Sequence, residues 1–229
     1  MNLLNLFLDL INLFYPFHCV SCGAVLLPVE NTLCIKCIYE LPRTNFHLDP
    51  NNEVAQMFWG RVHIQYATAF LFFQKGGQVQ TMLHKLKYKN QKEIGIGIGK
   101  LIGLELKNTQ LSEIDLIVPV PLHKSKYRKR GYNQSELIAI GLAESMGKPV
   151  ETKILYRAIA NPTQTRKHRY ERWTNVEGIF AIKNSERIVN KHILLVDDII
   201  TTGATIEASA SALLNLENVK VSIFAIAKA

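Results

Sequence analysis

Residues 193–206, ILLVDDIITTGATI, bring together two groups of residues that suit different parts of one ligand. Two adjacent carboxylates, Asp197 and Asp198, follow an apolar run, and a group of small or hydroxyl residues begins three positions later: Thr201, Thr202, Gly203, Ala204 and Thr205. Ionised carboxylates only accept hydrogen bonds, so hydroxyl donors such as those of ribose suit them. A glycine-containing turn that leads into a helix offers backbone N–H groups to a phosphate. The stretch therefore predicts a pocket for a ribose 5-phosphate.

Two other interpretations of the acid pair stay open at this point. Adjacent aspartates after a strand also hold Mg²⁺ in phosphotransfer proteins, although such a site needs no threonine–glycine cradle close behind it. A loop that binds nothing is the weaker alternative, because two carboxylates at a buried strand edge are a poor choice for stability alone.

A second candidate site follows the predicted strand that ends at Val120. Five cations stand within seven residues there: Lys124, Lys126, Arg128, Lys129 and Arg130. The guanidinium groups of Arg128 and Arg130 can each hold phosphate oxygens through two N–H donors. A basic loop directly after a buried strand is well placed for pyrophosphate, and a solvated surface that binds nothing is an equal alternative.

A long polar segment, residues 160–180, is a candidate lid. Its sequence, ANPTQTRKHRYERWTNVEGIF, is basic and has no hydrophobic period. Long segments of this kind in compact domains are often binding loops that exclude water from a reaction. A helical connection stabilised by charge pairs is the alternative.

All four cysteines of the chain lie within 19 residues of each other, as two C-x-x-C pairs: Cys19, Cys22, Cys34 and Cys37. Each pair can give two thiolates to one ion, and four sulfurs complete a tetrahedral Zn²⁺ site. Two disulfides, a redox pair and an iron–sulfur cluster are the rivals. We favour structural zinc, because so small a module buries little apolar area and metal binding would supply its folding free energy.

The elements that must position these residues follow a regular alternation from Arg61 onward. Predicted strands at 114–120, 191–196 and 219–227 alternate with predicted helices at 79–89, 93–107, 135–146 and 204–216. This order favours an α/β fold with a mostly parallel sheet and helices on both faces. Open sheets of this type bind ligands at the carboxyl ends of their strands, where the acid pair and the basic loop are predicted to lie.

The 229 residues divide into four predicted regions. Residues 1–16 form an amphipathic helix, 17–45 the cysteine module, 46–60 a linker of weak pattern and 61–229 the α/β domain. The N-terminal region lacks the basic start and the cleavage site of a signal peptide and is too short for a membrane span, so we expect a cytoplasmic protein in which peripheral membrane contact stays open. The net charge of +8 favours anionic partners without choosing among phosphates, nucleic acid and membrane surfaces.

The block VDDIITTGAT resembles the binding fingerprint for phosphoribosyl pyrophosphate (PRPP) of type I phosphoribosyltransferases. Together with the four-cysteine module, the stretch RGYNQ after VPVP, and the pieces QT and RWTNVEGIF, it is similar to the ComF family of late competence proteins over nearly the whole chain. The resemblance implies that Asp197 and Asp198 contact the ribose 2- and 3-hydroxyls and that residues 201–205 hold the 5-phosphate. It also implies two further groups of contacts: Arg130, Asn133 and Gln134 on the pyrophosphate side, and Gln164, Arg172 and Asn175 on the flexible loop.

Two hypotheses about function follow from the residues and the resemblance. In the first, the chain is a phosphoribosyltransferase, dependent on Mg²⁺, that displaces pyrophosphate from PRPP in favour of an unidentified acceptor. In the second, it is a non-catalytic protein of DNA uptake whose zinc module and basic loops bind single-stranded DNA or a DNA-translocation protein. Whether the protein is an enzyme stays open at this stage.

Overall fold

The computed structural model of this protein describes residues 16–157 and 179–229. The predicted amphipathic helix at 1–16 and the candidate lid at 160–180 lie almost entirely outside these residues. The three residues assigned to the flexible loop, Gln164, Arg172 and Asn175, are outside them as well.

Four parallel strands form the central sheet, in the order β1, β6, β5, β2. They are β1 (Ala67–Phe72), β2 (Leu116–Pro119), β5 (His192–Ile200) and β6 (Lys220–Lys228). A separate antiparallel pair is formed by β3 (Leu155–Arg157) and β4 (Phe180–Ile182). The parallel sheet confirms the predicted fold class.

Seven α-helices accompany the strands in the described part of the chain. They are α1 (Ile35–Tyr39), α2 (Glu53–Gln56), α3 (Gln78–Tyr88), α4 (Glu93–Leu106), α5 (Lys124–Arg130), α6 (Gln134–Met146) and α7 (Ala204–Leu214). Short 3₁₀ turns lie at Phe46–Leu48, Gln110–Glu113 and Ser185–Arg187. None of the helices described is long and apolar enough to cross a membrane.

Strand β5 shows why the sheet is covered on both faces. Its residues Ile193, Leu194, Leu195 and Val196 are all fully buried. Because side chains alternate across a strand, Leu194 and Val196 enter the core on one face while Ile193 and Leu195 enter the core on the other. A continuous apolar run of this kind is typical of a parallel strand between two layers of helices.

Helices α4 and α6 pack at unusually short range through their glycines. A methyl group on Gly99 would lie 2.4 Å from the carbonyl oxygen of Ile138, and one on Gly141 would lie 2.1 Å from that of Ile96. The glycines lower the intrinsic helix propensity of α4, yet the helix is continuous over 14 residues. Close packing against α6 explains why glycines occupy these positions.

Two of the contacts that dock the cysteine module on the helical layer lie at its N-terminal part. Lys85 of α3 donates a hydrogen bond to the carbonyl oxygen of Val20 at 2.7 Å. Thr32 lies directly over Gly97 of α4, where an added methyl group would come within 1.8 Å of its Oγ1. The absence of a side chain at Gly97 therefore makes room for the module.

Residues 46–60 are packed against the sheet and do not form the linker that we expected. Helix α2 is capped by Asn52, whose side chain accepts from the backbone N–H groups of Val54 and Ala55. Val54 and Phe58 are fully buried in the core on the α7 side. The segment is short and has too few apolar positions to show a periodic pattern, so its packing against the sheet was not predicted from the sequence.

Candidate functional site

The acid pair lies where β5 extends past its neighbour β2. Pairing with β2 ends at Pro119, which is opposite Val196, whereas pairing with β6 continues to Ile200. Asp197 and Asp198 are therefore inside β5, and the prediction of a strand that ends at Val196 was too short. They still lie at the carboxyl edge of the sheet, because no residue of β2 covers them.

Each acid has one side-chain contact from the helical layer. Oδ1 of Asp197 accepts from the Oγ hydroxyl of Ser135 at 2.9 Å and from the backbone N–H of Asp198 at 2.8 Å. Oδ2 of Asp198 pairs with Nζ of Lys87 at 2.7 Å. Oδ2 of Asp197 and Oδ1 of Asp198 accept no hydrogen bond from any residue within 16–157 and 179–229. Two carboxylate oxygens are therefore available to hydroxyl donors of a ligand.

The environment of Asp197 disfavours its charge. Burial, and then the neighbouring carboxylate of Asp198, raise the pKa of Asp197 to about 7. The backbone N–H of Asp198, the hydroxyl of Ser135 and the ammonium group of Lys87 act in the opposite direction. A carboxyl with a pKa near neutrality, at the edge of a sheet, is typical of a functional site.

The small-residue turn follows the acid pair and opens α7. Gly203 has φ of +76°, a conformation that L side chains rarely adopt, and it lies against the ring of Phe58. The other four residues of the turn are exposed: Thr201, Thr202, Ala204 and Thr205. Because the first N–H groups of a helix have no partner within it, this exposed turn is suited to bind a phosphate.

Arg61 fixes the turn from outside. Its NH1 donates to the carbonyl oxygens of Met57, at 3.0 Å, and Thr202, at 3.3 Å, and its NH2 forms an ion pair with Glu207 of α7. The guanidinium thus holds the backbone of the turn beside the predicted phosphate position.

The basic segment after β2 is a short helix, α5, and not the loop that we expected. His123 caps its first turn, where its ring accepts from the N–H of Ser125, and Gly131 ends it with φ of +77°. Four of its cations are exposed: Lys124, Lys126, Arg128 and Lys129. Residue Val120 still pairs with Val196, so α5 begins at the same sheet edge as the acid pair.

Arg130, Asn133 and Gln134 join α5 to the rest of the domain. Arg130 donates to Oε1 of Gln134 at 2.7 Å and lies over the ring of Tyr88, with 5.2 Å to the centroid. Asn133 is buried, caps α6 by accepting from the N–H of Ser135, and donates to the carbonyl oxygen of Val120 at 2.9 Å. Nε2 of Gln134 is buried and makes no hydrogen bond among the described residues. Asn133 therefore has a clear structural role, while Arg128 lies free of the core on the helix surface.

The four cysteines form one cluster. Their Sγ atoms all lie within 4.8 Å of one another, and Cys22 and Cys34 are 3.7 Å apart. None of them is in a disulfide. Gly23, with φ of +77°, allows the tight turn in which its N–H donates to the carbonyl oxygen of Cys19. The donor set and its spacing fit a tetrahedral metal site with four thiolates.

Backbone hydrogen bonds prepare one of these sulfurs to act as a thiolate. Burial raises the pKa of the Cys19 thiol, but N–H groups of Cys22, Cys34 and Ser21 together outweigh burial and lower this pKa to about 6. For Cys37 burial dominates and raises the pKa to about 12. A bound cation would stabilise all four thiolates, and its charge would offset the burial of Cys37.

Three residues of the site were not predicted from the sequence: Lys87, Ser135 and Arg61. Lys87 stands 111 positions before its partner Asp198, between Lys85 and Lys89, and no local pattern distinguishes it. Ser135 directly follows the stretch RGYNQ, and this position was the one sequence feature that could have marked it as a site residue. Arg61 lies in a segment of weak pattern.

Comparisons with known proteins agree with this geometry. Residues 86–228 match the family model described as "Phosphoribosyl transferase domain". Competence protein F of Haemophilus influenzae is 24% identical over 226 residues, which cover 94% of this chain and 99% of that protein. DNA utilization protein YhgH of Escherichia coli (strain K12) is 29% identical over 193 residues, 81% of this chain and 79% of that protein.

Among solved structures, an adenine phosphoribosyltransferase from Thermoanaerobacter pseudethanolicus is similar with a TM-score of 0.39 and 17% identity, over 62% of this chain and 83% of that chain. The family match includes α4, α6, the acid pair and the small-residue turn, which are the parts that build the site. The chain therefore belongs to the phosphoribosyl transferase domain family and, within it, to the ComF/YhgH group of competence proteins.

Proposed function

We propose that this protein binds PRPP at the carboxyl edge of its sheet and transfers the phosphoribosyl group to an acceptor. The observation that carries the proposal is the pairing of two available carboxylate oxygens, on Asp197 and Asp198, with the exposed turn at the start of α7. The acids accept from the ribose 2- and 3-hydroxyls, and residues 201–205 donate to the 5-phosphate. The family match supports this assignment.

In the proposed reaction, the bond between the anomeric carbon and the pyrophosphate oxygen breaks, and its electron pair leaves with pyrophosphate. A nucleophilic atom of the acceptor forms the new bond to that carbon and loses its proton. The chain contributes orientation and electrostatics: the acids fix the ribose ring, while Arg128 and Arg130 stabilise charge on the leaving group. No covalent intermediate with the protein is needed.

The described residues suit two different metal ions at separate sites, Mg²⁺ at the acid pair and Zn²⁺ at the cysteine cluster. Mg²⁺ prefers carboxylate and phosphate oxygens, and Asp197 and Asp198 offer such oxygens beside the ligand's own phosphates. When bound, Mg²⁺ would neutralise charge on the diphosphate. Zn²⁺ is our proposal for the cluster of Cys19, Cys22, Cys34 and Cys37, where it would have a structural role.

Calorimetry with PRPP and Mg²⁺ tests the binding proposal. We expect Asp197→Asn combined with Asp198→Asn to weaken binding by about 1–3 kcal/mol, because hydrogen bonds to charged acceptors are lost. Glu186→Gln with Glu217→Gln removes the same charge at exposed positions and should leave affinity unchanged. Equal affinity of the acid-pair variant and the wild type would mean that the acids do not contact the ribose.

A second candidate function, binding of single-stranded DNA, is favoured by helix α5. Its exposed cations form a dense positive surface at the sheet edge, and the relatives are named as competence and DNA utilization proteins. If these cations contact DNA phosphates, neutralising them should weaken binding about equally for all sequences. The salt dependence should also flatten by about one unit of slope per lost contact.

A fluorescence titration of labelled single-stranded DNA measures this effect for a variant in which the five cations of α5 are replaced by glutamine. The matched control is Lys191→Gln with Lys220→Gln, which removes charge at the opposite edge of the sheet. Competition by PRPP would show that both anions use α5. An unchanged salt slope in the α5 variant would exclude this helix as the DNA contact.

A further inference from the structure

The last turn of α3 touches both halves of the candidate site. Lys87 forms its ion pair with Asp198 at 2.7 Å, on the ribose side. The next residue, Tyr88, lies under the guanidinium of Arg130, on the pyrophosphate side, with 5.2 Å between the guanidinium carbon and the ring centroid. Two consecutive residues of one helix therefore bridge β5 and α5.

The Lys87–Asp198 pair differs from the other ion pairs among the described residues. Its side chains are 20% and 11% exposed, whereas every other pair has at least one partner that is more than 30% exposed. A shielded pair is weakly screened by salt and keeps a fixed geometry. Shielded pairs contribute little net stability compared with apolar residues, so stability alone gives no reason to place one beside a ligand site.

The other lysines of this region have different surroundings. Lys85 donates to the carbonyl oxygen of Val20 and so holds the cysteine module. Lys89 follows the end of α3 and is exposed. Among these three neighbouring cations, Lys87 is the one whose ammonium group contacts the acid pair.

We propose that Lys87 is a positioning residue for PRPP, which holds Asp198 in one orientation so that its Oδ1 can accept from a ribose hydroxyl. This inference rests on the proposed function. The ammonium group of Lys87 adds one positive charge beside the two acids, which lowers the repulsion that the phosphates of a ligand meet.

The experiment is calorimetry of the full chain with PRPP and Mg²⁺. For Lys87→Met we expect the dissociation constant to rise by about tenfold or more, as for the loss of a charged hydrogen-bond partner. Lys87→Arg should restore most of the affinity. Lys89→Met, which removes a charge two residues away, should stay within about twofold of the wild type.

Each result has a distinct meaning. Wild-type protein that does not bind PRPP overturns the proposed function and this inference with it. Wild-type binding with an unchanged dissociation constant for Lys87→Met, or with no recovery of affinity in Lys87→Arg, overturns the inference alone. If Lys87→Met does not fold, Lys87→Gln gives the same test, because it keeps an N–H donor toward Asp198 but removes the charge.

Discussion

At the scale of single residues, the acid pair is a place where binding and stability oppose each other. Asp197 is held in a shielded position beside a second carboxylate, and burial raises its pKa to about 7. The hydroxyl of Ser135 and one backbone N–H satisfy a single oxygen of this group. A charge in such surroundings destabilises the folded protein. A ligand that donates hydrogen bonds to the second oxygen would explain why a carboxylate is placed there.

Asp197→Asn should make the protein more stable at alkaline pH. Between the ordinary carboxyl pKa and about 7, the folded chain keeps a proton that the unfolded chain has lost, so stability falls as pH rises through this window and stays lower above it. Asparagine has no such charge and keeps an oxygen that can accept from Ser135. A gain of about 1 kcal/mol would raise the melting temperature by about 2–4 °C in a chain of this size.

Thermal unfolding of the wild type and Asp197→Asn from pH 4 to pH 9 measures this difference. We expect the two melting temperatures to converge toward pH 4 and to separate above pH 7. Glu217→Gln, at an exposed position, is the control whose difference from the wild type should not depend on pH. A variant that is less stable than the wild type at pH 8 would contradict the prediction.

At the scale of elements, the sheet edge depends on how closely α6 approaches α4. Ser135 and Asn133 stand at the start of α6 and contact Asp197 and the end of β2, so a displaced helix would move both contacts. The approach is set by glycines, since a methyl group at Gly141 would lie 2.1 Å from the carbonyl oxygen of Ile96. Backbone atoms on the opposing helix cannot rotate away as a flexible side chain can.

Gly141→Ala should therefore destabilise the domain, although alanine is the better helix former by about 1 kcal/mol. We expect a net loss of about 1–3 kcal/mol in the free energy of unfolding, because the helices must separate. Urea unfolding measures this loss of stability. As a control, Leu104→Ala on the exposed side of α4 should change the free energy of unfolding by less than about 0.5 kcal/mol. A stabilised Gly141→Ala variant would show that α4 and α6 are further apart in solution.

Much of this fold could be predicted because its signals are local. The apolar run before Asp197 predicts a buried parallel strand, and the periodic pattern from Ser135 to Met146 predicts the helix that the structure shows. Local patterns could not predict the residues that complete the site. Lys87 and Arg61 reach the acid pair and the turn from distant parts of the chain, and only the folded topology brings these residues together.

The same limit applies to the basic segment and to residues 46–60. Lysine and arginine in a short run suit a loop and a solvated helix equally, so α5 could not be distinguished from a loop by composition. The burial of Phe58 under Gly203 follows from tertiary packing and leaves no period in a segment of 15 residues. Where a site is built by contacts across the sheet, the sequence predicts its chemistry better than its geometry.

At the scale of the whole molecule, the cysteine module shares one apolar core with a face of the α/β domain. The module buries few apolar side chains besides its cysteines, notably Val20, Leu33 and Leu41. Its contacts with the domain include the Lys85 hydrogen bond and the packing of Thr32 on Gly97. The larger part of that core, and the whole of the second core on the α7 side, come from residues outside the module.

Removal of the proposed zinc should therefore unfold the module and leave the α/β domain folded. Purified protein should contain about one zinc per chain, since four thiolates complete one tetrahedral site. Adding a chelator should speed hydrogen exchange in residues 17–45, while exchange in β5 and β6 stays slow, because metal binding supplies most of the module's folding free energy. His18→Ala, next to Cys19, is the matched control and should keep its zinc, whereas Cys34→Ser should lose it. Folded, metal-free protein in which all four cysteines are oxidised would refute the zinc site, and loss of protection in β5 on chelation would show that the two parts fold as one unit.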